Sequence, residues 1–306
     1  MTFSHITAAK QNLQRHLPET PLLPSPGFSE LFSRTVSIKW DNQLMTGSFK
    51  ERGAVHFLSS VPDLASRGVC AASAGNHALA LSYHAAHFGI PCSIVMPRLA
   101  PLVKIERTER NGAKILLEGE DFDEAYQRAL KLSEESGMVF VPGFDHPYII
   151  AGQGTCGLEI LEQSVDFDSV IVPVGGGGLA AGIALAIKTV RPEVFLLGVQ
   201  SDWVTAPKKL PAEIPQALRE KTIADGIAVK TIGKMNRPIL DRYLNDLVSV
   251  SDSDIALAIV RYLELEKTVV EGAGAAAMAA LFAGRLPERY TRPVVLACGS
   301  NIDINV

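Results

Sequence analysis

The chain is short of charge of either sign in excess: 29 Lys and Arg stand against 33 Asp and Glu, a net charge of -4. No broad basic surface can be assembled from that balance, which argues against nucleic acid as a partner. Cysteine is scarce. The four thiols, at 70, 92, 156 and 298, sit in or beside apolar segments and lack paired metal-ligand spacing, so reduced cysteines in a cytoplasmic protein are expected, with no metal site. The first residues, Met1 to Ile6, have neither a basic nor an apolar leader-like stretch. One charge-free run of membrane-like length, Val170 to Ile187, is broken by Pro173 and four consecutive glycines. A strand, a turn and a helix account for it better than a membrane span. What remains is 306 residues, 47% hydrophobic and 20% charged, enough for a large core in one or two domains.

Short apolar strands alternate with helical patterns along most of this length. Strands are expected at 36–41, 68–72, 92–96, 114–117, 138–141, 170–174, 194–199, 247–250 and 294–297. Helices are expected at 7–17, 76–88, from Pro101, after Asp121 to Gly137, and at 147–163, 179–190, 253–266 and 273–283. Leu22 to Phe28 and 201–235, with prolines at 207, 211 and 215, read as irregular. Repeated βα units predict α/β architecture with two doubly wound parallel sheets. Pro142-Gly143 marks a boundary, giving a large domain of residues 1–50 plus 146–306 and a small one of 51–145.

Three loops carry the chemistry. In Thr46-Gly47-Ser48-Phe49-Lys50, the lysine opens a helix. The positive end of that helix, and burial beside Phe49, both disfavour an ammonium group and push towards a nucleophilic amine able to form a Schiff base. An isolated Gly-Ser-x-Lys would more often be an ordinary solvated lysine. Gly175, Gly176, Gly177, Gly178 and Leu179 join a strand to a helix, so their N–H groups can wrap a phosphate without a basic side chain. The same strand, loop and helix would suit a nicotinamide dinucleotide, with Asp202 as ribose-binding acid, but that fold gives Lys50 no role. Ser73-Ala74-Gly75-Asn76-His77 also precedes a helix, where N–H groups suit a carboxylate; Ser73 or Asn76 as a plain helix cap is the ordinary alternative.

Together with Cys298-Gly299-Ser300-Asn301, these loops resemble the threonine and serine dehydratases among the pyridoxal 5'-phosphate (PLP) enzymes of the tryptophan synthase β-like class, fold type II. The resemblance runs from Thr20 to Asp303 and is closest to threonine dehydratase without a regulatory domain. It implies a lyase that deaminates a β-hydroxy amino acid, threonine or serine, to a 2-keto acid and ammonia. Lys50 would be the catalytic base, Phe49 would pack beside the cofactor, and Asn76 would meet its 3'-oxygen. Gly175 to Leu179 would hold its phosphate, Cys298 its ring nitrogen, and Ser73 to His77 the substrate carboxylate. Glu271, in Glu271-Gly272-Ala273-Gly274, would lie near the cofactor. Two departures matter: Ala74 stands where serine racemases carry a hydroxyl, and Gln200 where racemase-like members place a carboxylate metal ligand. Elimination without a metal is expected. Hydroxyaspartate, phenylserine and hydroxyectoine-derived substrates, and serine racemisation, are the alternatives within the class. The resemblance also implies a dimer or tetramer.

Overall fold

The structure, a computed structural model, describes residues 1–202 and 222–302, so most of the irregular stretch expected at 201–235 lies outside the described residues, as does Asp303. Helix α1 (Phe3–Leu13) buries Ile6, Ala9 and Leu13 along one stripe, starting and ending four residues before the expected 7–17. Strand β1 (Leu22–Pro24) and helix α2 (Pro26–Phe32) occupy the approach that the sequence pattern left irregular; Ser25 caps α2 by accepting from the Phe28 N–H at 3.2 Å. Then come β2 (Ser37–Trp40), α3 (Lys50–Ser60), α4 (Leu64–Arg67), β3 (Val69–Ala72), α5 (Asn76–His87) and β4 (Cys92–Met96). Helix α6 (Leu102–Arg110) begins one residue later than expected: Pro101 is its cap, with extended ψ of 133°, and not its first turn. Strand β5 (Lys114–Leu117) leads to α7 (Phe122–Ser136), where Asp121 accepts from the Glu124 N–H and Gly137 ends the helix at φ 75°.

Strand β6 (Val139–Phe140) precedes α8 (Pro147–Gln163), β7 (Ser169–Pro173), α9 (Gly178–Val190) and β8 (Phe195–Ser201). After the undescribed segment come α10 (Asn236–Tyr243), β9 (Asp246–Val250), α11 (Asp252–Arg261), α12 (Gly272–Phe282) and β10 (Pro293–Ala297). Where 253–266 was expected to be one helix, α11 passes at Tyr262 into a π-helical turn, Tyr262–Glu266.

Among the described residues the strands form two sheets, ordered β1-β2-β10-β7-β8-β9 and β5-β4-β3-β6. All pairings are parallel except that of the edge strand β1 with β2. The continuous apolar strands β7, β8 and β10 are buried on both faces, as parallel strands under helices must be. Alternation splits their side chains between two cores. Val295 and Ala297 pack with α12, whereas Val294, Leu296 and the following Cys298 pack with α8 and α9. The four-stranded sheet has its own core, with Leu81, Ile94 and Met96 fully buried.

Candidate active site

A cleft of about 1660 Å³ is lined by residues of both sheets' loops, and every site residue singled out in the sequence lines it: Phe49, Lys50, Ser73 to His77, Gly175 to Leu179 and Cys298. Lys50 is the first residue of α3. The loop before it is tied to the end of β10: the Phe49 N–H donates to Cys298 O at 3.1 Å, the Ser300 N–H to Gly47 O at 2.9 Å, and Asn301 Nδ2 to Thr46 O at 2.7 Å. Glu51 holds the other side of this loop, accepting from the Thr46 N–H and from Thr46 Oγ1 while bonded at 2.7 Å to His84 Nε2 on α5.

Behind the cleft, Arg52 makes a bidentate pair with Asp41 at 2.7 and 2.9 Å and reaches Glu159 at 2.6 Å; Lys39 Nζ meets Glu159 at 2.6 Å. Burial opposes ionisation of these acids, but the Arg52 guanidinium together with Lys39 outweighs it and holds both carboxyls below their ordinary range. Lys50 has no such partner. Its Nζ donates to Gly143 O at 2.7 Å and lies 5.2 Å from the Phe49 ring. Burial lowers its pKa to about 8, against weaker opposition from Cys298 and Glu271.

In the asparagine loop Ser73 does cap: its Oγ accepts from the N–H groups of Gly75 (3.2 Å) and Ala78 (3.3 Å). The N–H groups of Ala74, Asn76 and His77 have no partner among the described residues and stand at the start of α5, beside the cleft. The Asn76 amide is oriented from both ends, Nδ2 donating to Glu271 Oε1 at 2.6 Å and Oδ1 accepting from Asn301 Nδ2 at 2.7 Å. Burial raises the Glu271 pKa to about 7, with the Asn76 bond in partial opposition. His77 is held near 4 by burial and by Lys50, so its ring is neutral and donates from Nε2 to Val141 O at 3.0 Å. Burial, then Glu271, pushes the Cys298 thiol well up, leaving it neutral.

The glycine loop is a preformed anion cradle. From Gly175 to Leu179, no N–H finds a partner among the described residues, and α9 adds its positive end. A Cβ on Gly176 would lie 2.4 Å from the Phe144 ring, and Gly177 has a φ of +90° that other residues rarely adopt. Five unpaired amides without a buried cation suit a phosphate ester. Gly143, Phe144 and Asp145 belong to this cleft; the sequence marks Pro142-Gly143 as a boundary and the loop around Phe144 as a candidate for the side-chain pocket, and their contacts reach loops about 30 and 90 residues away. Among the described residues no group of three or more His, Cys, Asp or Glu is placed to hold a metal ion, and no helix is long and apolar enough to cross a membrane.

Comparison with known proteins agrees with this geometry. The "Pyridoxal-phosphate dependent enzyme" family model matches residues 13–299. The chain is 42% identical to an L-threonine ammonia-lyase of Thermotoga maritima, covering 100% of this chain and 77% of the relative. It is 40% identical to the catabolic L-threonine dehydratase of Escherichia coli K12, over 98% and 93% of the two. In three dimensions it is similar to a threonine deaminase of T.th. (TM-score 0.91, 32% identity, 99% of each chain) and to maize serine racemase (TM-score 0.92, 29% identity, 99% of this chain and 94% of that one). The expected α/β architecture of parallel sheets, the cofactor class and the resemblance stated from the loops thus have one source: this chain belongs to the pyridoxal-phosphate-dependent enzymes.

Proposed function

We propose that the chain is an ammonia-lyase that converts a β-hydroxy amino acid, threonine before serine, to a 2-keto acid and ammonia. The observation that carries this reading is the meeting of a desolvated Lys50 and the glycine cradle in one cleft, in a chain whose relatives are named for threonine. The unpaired amides of Gly175 to Leu179 fit the cofactor phosphate, Asn76 offers an oriented amide to the ring oxygen, and Cys298 offers a neutral thiol to the ring nitrogen. The bound cofactor supplies an electron sink for charge developing at the substrate α-carbon.

The protein's part is to place and move protons. The N–H groups of Ala74, Asn76 and His77 receive the substrate carboxylate at the start of α5. Phe49 packs beside the site and keeps water from it. Lys50, its pKa lowered to about 8 by burial, takes the α-proton and returns it to the departing β-hydroxyl as water leaves. The enamine so released takes up water to give the keto acid and ammonia. Because Ala74 has no hydroxyl, the face opposite Lys50 lacks a second base at that position, which favours elimination over racemisation. Gln200 in place of a carboxylate supports a reaction without a divalent metal at that position. In this reading residues 51–145 form a small domain closing on a large one made of 1–50 and 146–306, and the protein is a homodimer or homotetramer in the cytoplasm.

Threonine, serine, 3-hydroxyaspartate and phenylserine are to be compared by keto acid and ammonia released. The highest kcat/KM is expected for threonine, and Lys50→Ala should lower it by roughly 10² to 10⁴. Retention of activity in Lys50→Ala, or a preference for hydroxyaspartate, overturns the reading.

A further inference from the structure

The peptide joining Gly176 to Gly177 is gripped from behind. Gly176 O accepts two hydrogen bonds, one from the Gly233 N–H at 3.0 Å and one from Asn236 Nδ2 at 2.8 Å. In a trans peptide the carbonyl and the N–H point in opposite directions. Securing Gly176 O against segment 233–236 therefore turns the Gly177 N–H to the other side of the peptide, towards the cleft that Gly177 lines.

Asn236 is built for this grip. It is 0% exposed, and its Nδ2 also reaches Phe144 O at 3.3 Å. Both neighbours of that nitrogen are carbonyl oxygens, so the amide can only present its hydrogens there. Segment 233–236 is anchored in turn by Asp145, which accepts from the N–H groups of Lys234 (2.8 Å) and Met235 (2.9 Å) at the start of α10. Phe144, next to Asp145, fills the space that a side chain on Gly176 would need. Loop 143–145, the glycine loop and segment 233–236 thus form one unit joined by five hydrogen bonds; of the two side chains that make them, Asp145 lines the cleft and Asn236 does not.

We infer that Asn236, anchored through Asp145, is a positioning residue that presets the phosphate cradle by fixing the direction of the Gly177 N–H before the cofactor arrives. This rests on the reading of the glycine loop as the phosphate site. Its consequence is selectivity: Asn236 strengthens binding of the phosphorylated cofactor and leaves binding of pyridoxal, which has no phosphate, almost unchanged.

The test titrates cofactor-free wild-type protein and Asn236→Ala with pyridoxal 5'-phosphate and, separately, with pyridoxal, following absorbance. The Kd for the phosphorylated compound should rise about tenfold, equivalent to the loss of about 1.4 kcal/mol, while that for pyridoxal stays within about twofold. Asp145→Asn, which keeps one carbonyl acceptor, should shift the ratio in the same direction by less, and it decides the matter if Asn236→Ala does not fold. Parallel weakening of both ligands, or an unchanged ratio in folded variants, overturns the inference. Failure of the wild-type protein to bind pyridoxal 5'-phosphate at all would instead overturn the assignment of the cradle, and this inference with it.

Discussion

Arg52 and Lys50 stand two positions apart on α3, both cations largely withdrawn from water, and they end in opposite electrostatic states. Arg52 faces Asp41 and Glu159 at hydrogen-bond distance, and the three charges sustain one another. Lys50 donates only to a carbonyl oxygen, and burial makes its charge easier to give up than an ordinary lysine's. Glu271 mirrors it across the cleft, a carboxyl whose nearest partner is the neutral amide of Asn76. Burial is common to all of them. What separates a structural charge from a reactive one is whether a countercharge lies within reach.

That contrast can be attacked most forcefully at Arg52. Arg52→Met leaves the buried Asp41 without its ion-pair partner and Glu159 with Lys39 alone, and should cost about 3–5 kcal/mol of stability in denaturant unfolding near neutral pH. A cost below about 1 kcal/mol would mean the network is no more than decoration. Glu271 gives the next largest effect. A carboxyl whose folded pKa is raised from 4.5 to about 7 contributes fully below pH 4.5, and that contribution is lost as pH rises through about 7. Glu271→Gln in cofactor-free protein should therefore match the parent at pH 4.5 and exceed it at pH 8 by on the order of 3 kcal/mol. Equal stability at pH 8 would place Glu271 with the paired charges. The smallest effect is kinetic. With the Lys50 pKa lowered to about 8, its neutral fraction rises roughly tenfold between pH 7 and pH 9. Trapping of pyridoxal on cofactor-free protein by borohydride should accelerate by about that factor and then level off. A rate that keeps climbing towards pH 10.5 would identify an ordinary lysine.

Local patterns made the reactive half of the comparison readable. Lys50 at a helix start, Gly175 to Gly178 between strand and helix, and Ser73 to His77 before α5 are each stretches of five to ten residues whose neighbours in sequence are also their neighbours in space. The stabilising half was not readable, because it is assembled across distance: Arg52 meets an acid 11 positions before it and another 107 positions after it. An arginine and two acids beside apolar residues were the available signal, yet nothing in a single chain says which charges pair. Asn236 and Asp145 escaped notice for the same reason, since 60 and 31 residues separate them from Gly176. The misplaced boundaries have smaller causes. Three residues of β1 ending in proline show no alternation, and Pro101 can either cap a helix or begin one.

The order of strands in the larger sheet also bears on how the protein comes to exist in a cell. Strand β2, which leads to Lys50, lies against β10, and β10 separates it from β7; the Lys50 loop is then fastened to Cys298 and Ser300. A growing chain on the ribosome carries its nucleophile early but cannot seat it until Cys298 and Ser300, far later in the sequence, have been made. Vitamin capture is thereby deferred until β10 has been made, and a product truncated before β10 should leave the ribosome with its lysine exposed and its sheet open between β2 and β7.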